Sequence, residues 1–190
     1  MQGERPLWDF PDGTLARREV AAYLVSEATG WSVVPPTLLR DGPFGVGMVQ
    51  LWIDIDESVD LGDLVRADLP QLRRMALLDA VINNADRKGG HLLPTADGHI
   101  YGCDHGVCFS DEPKLRTVLW RWRGTRIDDD ERAVLERLCD EMAGELGTAL
   151  HRLLSGREVA ATRLRLAGLL GEGLFPQPSD DWPAVPWPPF

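Results

Sequence analysis

The sequence predicts an α+β fold in which helices and short antiparallel hairpins occupy separate stretches of the chain. Three observations indicate this. Apolar residues recur at helical spacing in four stretches, and two pairs of short apolar runs flank turn residues in the way β-hairpins do. The 190 residues, 44% of them apolar, are enough for one substantial core.

The first half of the chain begins with a helix that Asp12 or Thr14 can cap, that carries Glu19, and that Gly30 can end. Alternating apolar runs around turn residues then favour a hairpin, and five acidic residues favour a solvated linker. Helical spacing returns before the next acidic loop. In order, we predict a helix to about Ala28, strands Val33–Leu39 and Gly47–Ile53 around Asp41-Gly42, a linker Asp54–Asp63 and a helix Leu69–Asn83.

The second half continues with a hairpin, since Asp97-Gly98 is a strong two-residue turn signal between apolar runs. Two long helical patterns follow, separated by Gly156, and the chain closes in a segment with six prolines that favours a stiff, extended tail. The predicted elements are strands His91–Pro94 and His99–Cys103, helices Asp129–Leu154 and Arg157–Leu170, and a tail from Phe175 to Phe190.

Composition excludes several classes of function. A net charge of −10 opposes binding to nucleic acid and to anionic membranes, and no apolar run approaches the roughly 20 residues of a membrane span. The chain begins with a polar stretch rather than a signal peptide, and its three cysteines lack a metal-type C-x-x-C spacing. We therefore expect a cytoplasmic protein with neither nucleic-acid binding nor stable membrane association.

Two aspartates eighteen residues apart carry the strongest functional signal. Asp86 closes an apolar helical run in Asn83–His91, and Asp104 closes the second hairpin in Cys103-Asp104-His105-Gly106. Each one alone is typical of an ordinary turn. Together, with a hairpin between them, they can aim two carboxylates at one metal-phosphate group, so we interpret the pair as a phosphoryl-transfer site.

The order of elements and the segments Asn84–Arg87, Lys88–His91, Asp104–Gly106 and Trp182–Phe190 resemble the protein-kinase-like fold. Within it, the sequence looks like the atypical branch of phosphatidylinositol 3-/4-kinases and HipA-type kinases, and closest of all like actinobacterial phosphatidylinositol-kinase-like proteins. This resemblance implies an ATP-dependent transferase with a mostly helical C-lobe and an incomplete N-lobe. The implied parts are a partial N-lobe (1–53), a C-lobe (54–173) and a tail (174–190).

The resemblance also implies roles for individual residues. Asp86 matches the catalytic-loop aspartate, which orients the acceptor hydroxyl and takes its proton. Asp104 matches the aspartate that holds magnesium against the nucleotide phosphates. Glu19 matches the glutamate of the small-lobe helix, whose usual partner is a phosphate-binding lysine. By position, the segment that would contact adenine is Gln50, Leu51 and Trp52.

The chain departs from the kinase pattern in two places. His91 stands where the wider superfamily has a metal-binding asparagine, and imidazole suits Mn²⁺ better than Mg²⁺. We thus expect ATP with Mg²⁺ or Mn²⁺ on one firm site at Asp104 and a weak second site at His91. The sequence as given also starts at Met1, without the glycine-rich strands and the lysine strand. One hypothesis is a later-than-true start at a GTG codon; otherwise Lys88 is the nearest cation for phosphate.

The charged residues from Lys114 to Arg126 are all basic, although the protein is acidic. By the resemblance this is the activation segment, which would attract an anionic acceptor; the alternative is pairing with the protein's own carboxylates. Three functions remain open at this point. They are a kinase that phosphorylates a hydroxyl of an unknown protein or small molecule, an impaired pseudokinase that acts as a scaffold, and a metallohydrolase built from His91, Asp86, Asp104 and His105.

Overall fold

A computed structural model describes residues 7–190, and the statements below concern that part of the chain. It is an α+β arrangement of six helices and two separate two-stranded antiparallel sheets. The helices are α1 (Leu15–Thr29), α2 (Leu61–Arg66), α3 (Pro70–Ile82), α4 (Asp129–Ala143), α5 (Glu145–Leu153) and α6 (Gly156–Glu172). The strands are β1 (Thr37–Gly42), β2 (Gly45–Gln50), β3 (Leu92–Pro94) and β4 (Ile100–Gly102).

The helix α1 forms where the sequence predicts it. Thr14 occupies the N-cap position, but the predicted side-chain cap does not form, because its hydroxyl donates a hydrogen bond to the Pro11 carbonyl and accepts none from a backbone N–H of the first turn. The helix ends at Gly30, which adopts a left-handed φ of 71° that glycine tolerates without a steric penalty. Glu19 lies midway along α1 on its buried side.

The first hairpin exists, but its predicted bounds are wrong. Pro35 and Pro36 have no N–H group to donate to a ladder, so β1 begins only at Thr37. The strand then runs through the predicted Asp41-Gly42 turn, and the chain reverses at Pro43-Phe44 between the paired Gly42 and Gly45. Pro43 fixes φ and Gly45 has a φ of 93°, so these residues supply the turn geometry.

The structure differs from the predicted elements at two further places, one where an aspartate caps a helix and one where a glycine breaks a helix. The predicted acidic linker contains the start of α2, whose first N–H groups are capped by the side chain of Asp60 through a 2.8 Å bond from the Asp63 amide. The predicted helix from 129 to 154 breaks at Gly144 into α4 and α5. Gly147 then lies so close to α4 that a Cβ on it would be 2.0 Å from the Met142 carbonyl oxygen.

The middle of the chain follows the sequence prediction closely. The helix α3 begins at Pro70 and ends at Asn83, which has a left-handed φ of 54°. The strands β3 and β4 pair on either side of the Asp97-Gly98 turn. Together they place the loop 83–91 and the loop 103–106 side by side.

The core is built mainly from α3, which buries nine of its thirteen residues, with apolar faces of α1, α4 and α6 around it. Phe175, at the start of the predicted tail, is buried in that core. The tail then continues without helix or strand back toward the loop 83–91. Within residues 7–190, no helix has the length and apolar character needed to cross a membrane.

Candidate functional site

Two loops that carry the predicted carboxylates meet beside the second hairpin. The Cys103 amide donates to the His91 carbonyl over 3.1 Å, and the Ala85 amide donates to the Val107 carbonyl over the same distance. These bonds join the loop after α3 to the loop after β4. The loop that carries Asp86 therefore lies against the loop that carries Asp104.

A buried ion pair holds the first loop in place. Asp79 on α3 receives two hydrogen bonds of 2.9 Å from the guanidinium of Arg87, and both side chains are fully buried. The side-chain amide of Asn84 adds a third bond of 2.9 Å to Asp79. Because a buried charge is costly unless it is fully paired, this network fixes the loop on both sides of Asp86.

Arg87 also reaches the second loop, where it donates to the Cys103 carbonyl and contacts Nε2 of His105 at 2.6 Å. This contact requires a glycine at 102, since a Cβ there would lie 2.9 Å from the Arg87 guanidinium. The sequence analysis assigned Arg87 no supporting role. Its burial, and the role of Asp79, were missed; the available signal was a lone aspartate inside the apolar pattern of α3.

The carboxylates of Asp86, the predicted catalytic base, and of Asp104, the predicted metal ligand, face outward. The side chain of Asp86 is 30% exposed, and Nζ of Lys88 lies 3.0 Å from its Oδ2. Asp104 is 60% exposed and adopts a left-handed φ of 58°, an uncommon conformation that Asp tolerates better than most residues. Supporting residues are thus buried, while the groups suited to bind phosphate, metal or an acceptor are accessible.

His91 lies beside Asp104. Its Nε2 is 3.4 Å from Oδ2 of Asp104, and the charges of Asp86 and Asp104 both act on the ring. Burial lowers the pKa of His91, although Asp104 works in the opposite direction. A neutral imidazole keeps a lone pair for a cation, so this pair can offer one oxygen and one nitrogen ligand.

Nowhere in residues 7–190 do three or more His, Cys, Asp or Glu side chains come together as a metal-binding group. Asp104 and His91 therefore provide only part of a coordination shell, and a cation held there needs further oxygens, such as those of phosphates. The hydrolase hypothesis also required His105 as a ligand. Instead, His105 is buried against Arg87, so the predicted four-residue cluster does not form.

Glu19 approaches the second loop from α1. Its Oε2 lies 3.9 Å from Nδ1 of His105, and neither atom has a hydrogen-bond partner. Burial raises the pKa of Glu19 from 4.5 to about 7, with backbone amides of His105 and Gly106 acting against this rise. Burial also lowers the pKa of His105 well below its usual value. Glu19 is thus a buried carboxyl beside a neutral imidazole.

The predicted adenine-contact segment lies at the end of β2. Gln50 donates a side-chain bond of 2.9 Å to Thr37, and the Leu51 amide donates to the Pro36 carbonyl over 2.8 Å. Trp52 is 85% exposed. The Leu51 amide is therefore already paired, while the Trp52 ring is open to solvent.

The basic segment 114–126 differs in accessibility from residue to residue. Lys114 is buried, pairs with Asp9 at 3.2 Å and lies over the Trp8 ring, so it is not available to an anionic acceptor. Arg121 is exposed and pairs with Asp68 at 3.3 Å. Part of this segment is thus paired with the protein's own carboxylates.

The comparisons with known proteins agree with a bacterial origin and give a partial link to kinases. The chain is 46% identical, over 225 aligned positions, to Protein Rv2133c of Mycobacterium tuberculosis, and the alignment covers 100% of this chain and 81% of that protein. The chain therefore belongs to the family of Rv2133c. No protein-family model matches it.

More distant similarity reaches two plant proteins named phosphatidylinositol 4-kinase gamma 4. The one from rice is 33% identical over 129 positions, which is 57% of this chain but 22% of that protein. The one from Arabidopsis thaliana is 30% identical over 135 positions, 57% of this chain and 24% of that protein. The link to proteins with kinase names is thus distant and partial.

Proposed function

We propose that this protein is a kinase-like phosphotransferase that transfers the γ-phosphoryl group of ATP to a hydroxyl of an acceptor. The observation that carries the proposal is the convergence of two accessible aspartates, Asp86 and Asp104, on one rigid frame. The partial similarity to phosphatidylinositol 4-kinases supports it, and so does the resemblance of both aspartate loops to the protein-kinase-like fold.

In this proposal the two aspartates divide the work. Asp86 accepts the proton of the acceptor hydroxyl. The hydroxyl oxygen forms a bond to the γ-phosphorus while the bond from that phosphorus to ADP breaks. Asp104, with His91 beside it, would hold Mn²⁺ or Mg²⁺, which neutralises charge on the nucleotide phosphates. Lys88, 3.0 Å from Asp86, can contact a phosphate oxygen while it orients the Asp86 carboxylate.

Calorimetric titration with a non-hydrolysable ATP analogue, in Mg²⁺ and then in Mn²⁺, tests the nucleotide site. We expect metal-dependent binding that Asp104→Ala abolishes and that Asp140→Ala, an exposed aspartate on α4, leaves unchanged. Phosphoryl transfer from labelled ATP should be lost in Asp86→Asn while analogue binding remains. Binding that is equal in the Asp104 and Asp140 variants would refute the assignment.

A scaffold without turnover is the second candidate, and one observation favours it. Glu19, the match to the kinase glutamate, contacts His105 rather than a lysine in the described part of the chain. This candidate predicts a folded protein without ATP-dependent transfer. It also predicts that partner binding is the same in wild type and Asp104→Ala.

A further inference from the structure

The C-terminal segment 182–190 returns to the catalytic loop and is bound there through its backbone carbonyls. The Gly89 amide, three residues after Asp86, donates a 2.8 Å bond to the Pro189 carbonyl. The Ala184 carbonyl accepts two bonds, one of 3.0 Å from the Thr117 amide and one of 2.7 Å from the indole N–H of Trp120. We name residues 182–190 the strap.

The groove beneath the strap is formed by the catalytic loop on one side and the basic segment on the other. These two walls are joined directly, because the Arg87 amide donates to the Arg116 carbonyl and the Val118 amide donates to the Arg87 carbonyl. Arg116 also donates a side-chain bond of 3.2 Å to the Pro183 carbonyl. The groove therefore runs along the loop that carries Asp86.

The strap lies in the groove as an irregular segment with bends at Ala184-Val185 and at Trp187-Pro188. Trp182 and Ala184 are half-buried and Pro186 is buried, whereas Pro183, Val185 and Trp187 are exposed. Its residues from 182 to 187 therefore alternate between the groove side and the solvent side. Four of the nine strap residues are prolines, which have no N–H group, so the groove provides donors and the strap provides acceptors.

The last contact is close but only partly buried. The Phe190 ring fills the space beside Gly89, where a Cβ would lie 2.2 Å from the ring. The same side chain is 56% exposed, and Trp187 on the outer side is 86% exposed. Most of the apolar surface of the strap end thus remains in water, so burial contributes little to holding it closed.

We propose that this groove is the acceptor site for a proline-containing segment of polypeptide without helix or strand, and that the strap occupies it in cis until such a segment displaces it. This inference rests on the proposed phosphotransferase, because it makes the polypeptide the acceptor for Asp86. Asp86 and Lys88 lie within three residues of the Gly89–Pro189 bond. An acceptor in this groove would therefore pass directly beside them.

Matched substitutions in the full chain test the strap. Pro186→Asp places a charge on a buried position, whereas Val185→Asp places the same charge on the adjacent outward position. We expect hydrogen exchange at the amides of Gly89 and Thr117 to become about tenfold faster in Pro186→Asp and to stay unchanged in Val185→Asp. A chain ending at Trp182, which keeps the Trp8–Trp182 stack, is a second opened form if Pro186→Asp misfolds.

Binding in trans is measured with a synthetic nonapeptide of the strap sequence, without ATP. The opened chain should bind it at least tenfold more tightly than wild type, whose own strap competes. A peptide with Asp at the Pro186 position should not bind. Equal exchange in the two substituted chains would overturn the proposal. Binding of the opened chain to phosphatidylinositol vesicles in place of the peptide would overturn it too.

The link to catalysis uses a peptide with serine at the Phe190 position. ATP-dependent phosphorylation of that serine by the opened chain, lost in Asp86→Asn, is the expected result. If the opened chain transfers phosphate to other acceptors but not to the bound peptide, the acceptor assignment is wrong. If no variant transfers phosphate to anything, the proposed phosphotransferase fails, while the exchange and peptide measurements still decide whether the groove takes a polypeptide.

Discussion

Glu19 should make the protein less stable as pH rises toward neutrality, and Glu19→Gln should remove that effect. The carboxyl is 7% exposed, and its Oε2 lacks a hydrogen-bond partner. Its pKa is raised from 4.5 to about 7, chiefly by burial. Below pH 4.5 the group is protonated in both folded and unfolded chains, so it does not affect the balance between them.

Between pH 4.5 and about 7 only the folded chain holds this proton, so the stability that the group contributes is lost progressively as pH rises. Above pH 7 the carboxyl is ionised in both states, and the full cost of burying its charge remains. A pKa difference between 4.5 and about 7, at about 1.4 kcal/mol for each unit, corresponds to about 3 kcal/mol. A glutamine has the same shape and carries no charge.

Urea unfolding of wild type and Glu19→Gln at pH 5, 6, 7 and 8 measures this. The two chains should be nearly equal at pH 5, and the variant should be more stable by up to about 3 kcal/mol at pH 8. Glu27→Gln, an exposed position on the same helix, is the matched control and should show no such trend. A difference between wild type and Glu19→Gln that does not change from pH 5 to 8 would refute the reasoning.

Three further predictions, two on the frame of the site and one on a helix cap, are measured by the same unfolding assay. Gly102→Ala should cost about 1–3 kcal/mol because its Cβ would meet Arg87 at 2.9 Å, whereas Gly168→Ala, with open space around it on α6, should stabilise by up to about 1 kcal/mol. Arg87→Leu should cost about 3–5 kcal/mol by leaving Asp79 unpaired, and adding Asp79→Leu should recover part of it; additive losses would contradict the coupling. Asp128→Ala should cost about 1 kcal/mol by removing the α4 cap.

The parts of the fold that the sequence predicts are those that local signals specify. Gly30 and Asn83 end their helices in left-handed conformations, and Asp97-Gly98 sets the second hairpin. The bounds of β1 depend on which backbone groups find a partner across the hairpin, and Pro35 and Pro36 decide this by lacking donors. The alternation of apolar residues therefore predicts that a hairpin exists but not where its strands begin and end.

The positions of the two aspartate loops could be predicted from the sequence, whereas the buried residues that support them could not. Asp86 and Asp104 stand next to turn residues that a sequence makes visible. The burial of Arg87 depends on contacts with Asp79 and with the loop after β4, which are long-range in the chain. In the same way, the bond between the strap and Gly89 joins residues a hundred positions apart, so no local sequence pattern predicts it.

Two kinds of buried charged residue surround the Asp104 loop, a fully paired one and an unpaired one. The Asp79–Arg87 pair makes all of its contacts inside the protein and leaves no charge free to react. Glu19 is different, because it is buried with an unpaired oxygen and so reduces stability at neutral pH. Buried carboxyls with a raised pKa are enriched at functional sites, so Glu19 supports the proposed function. Glu19 lies beside His105, the residue after Asp104, and this places the cost at the loop that the proposed reaction would use.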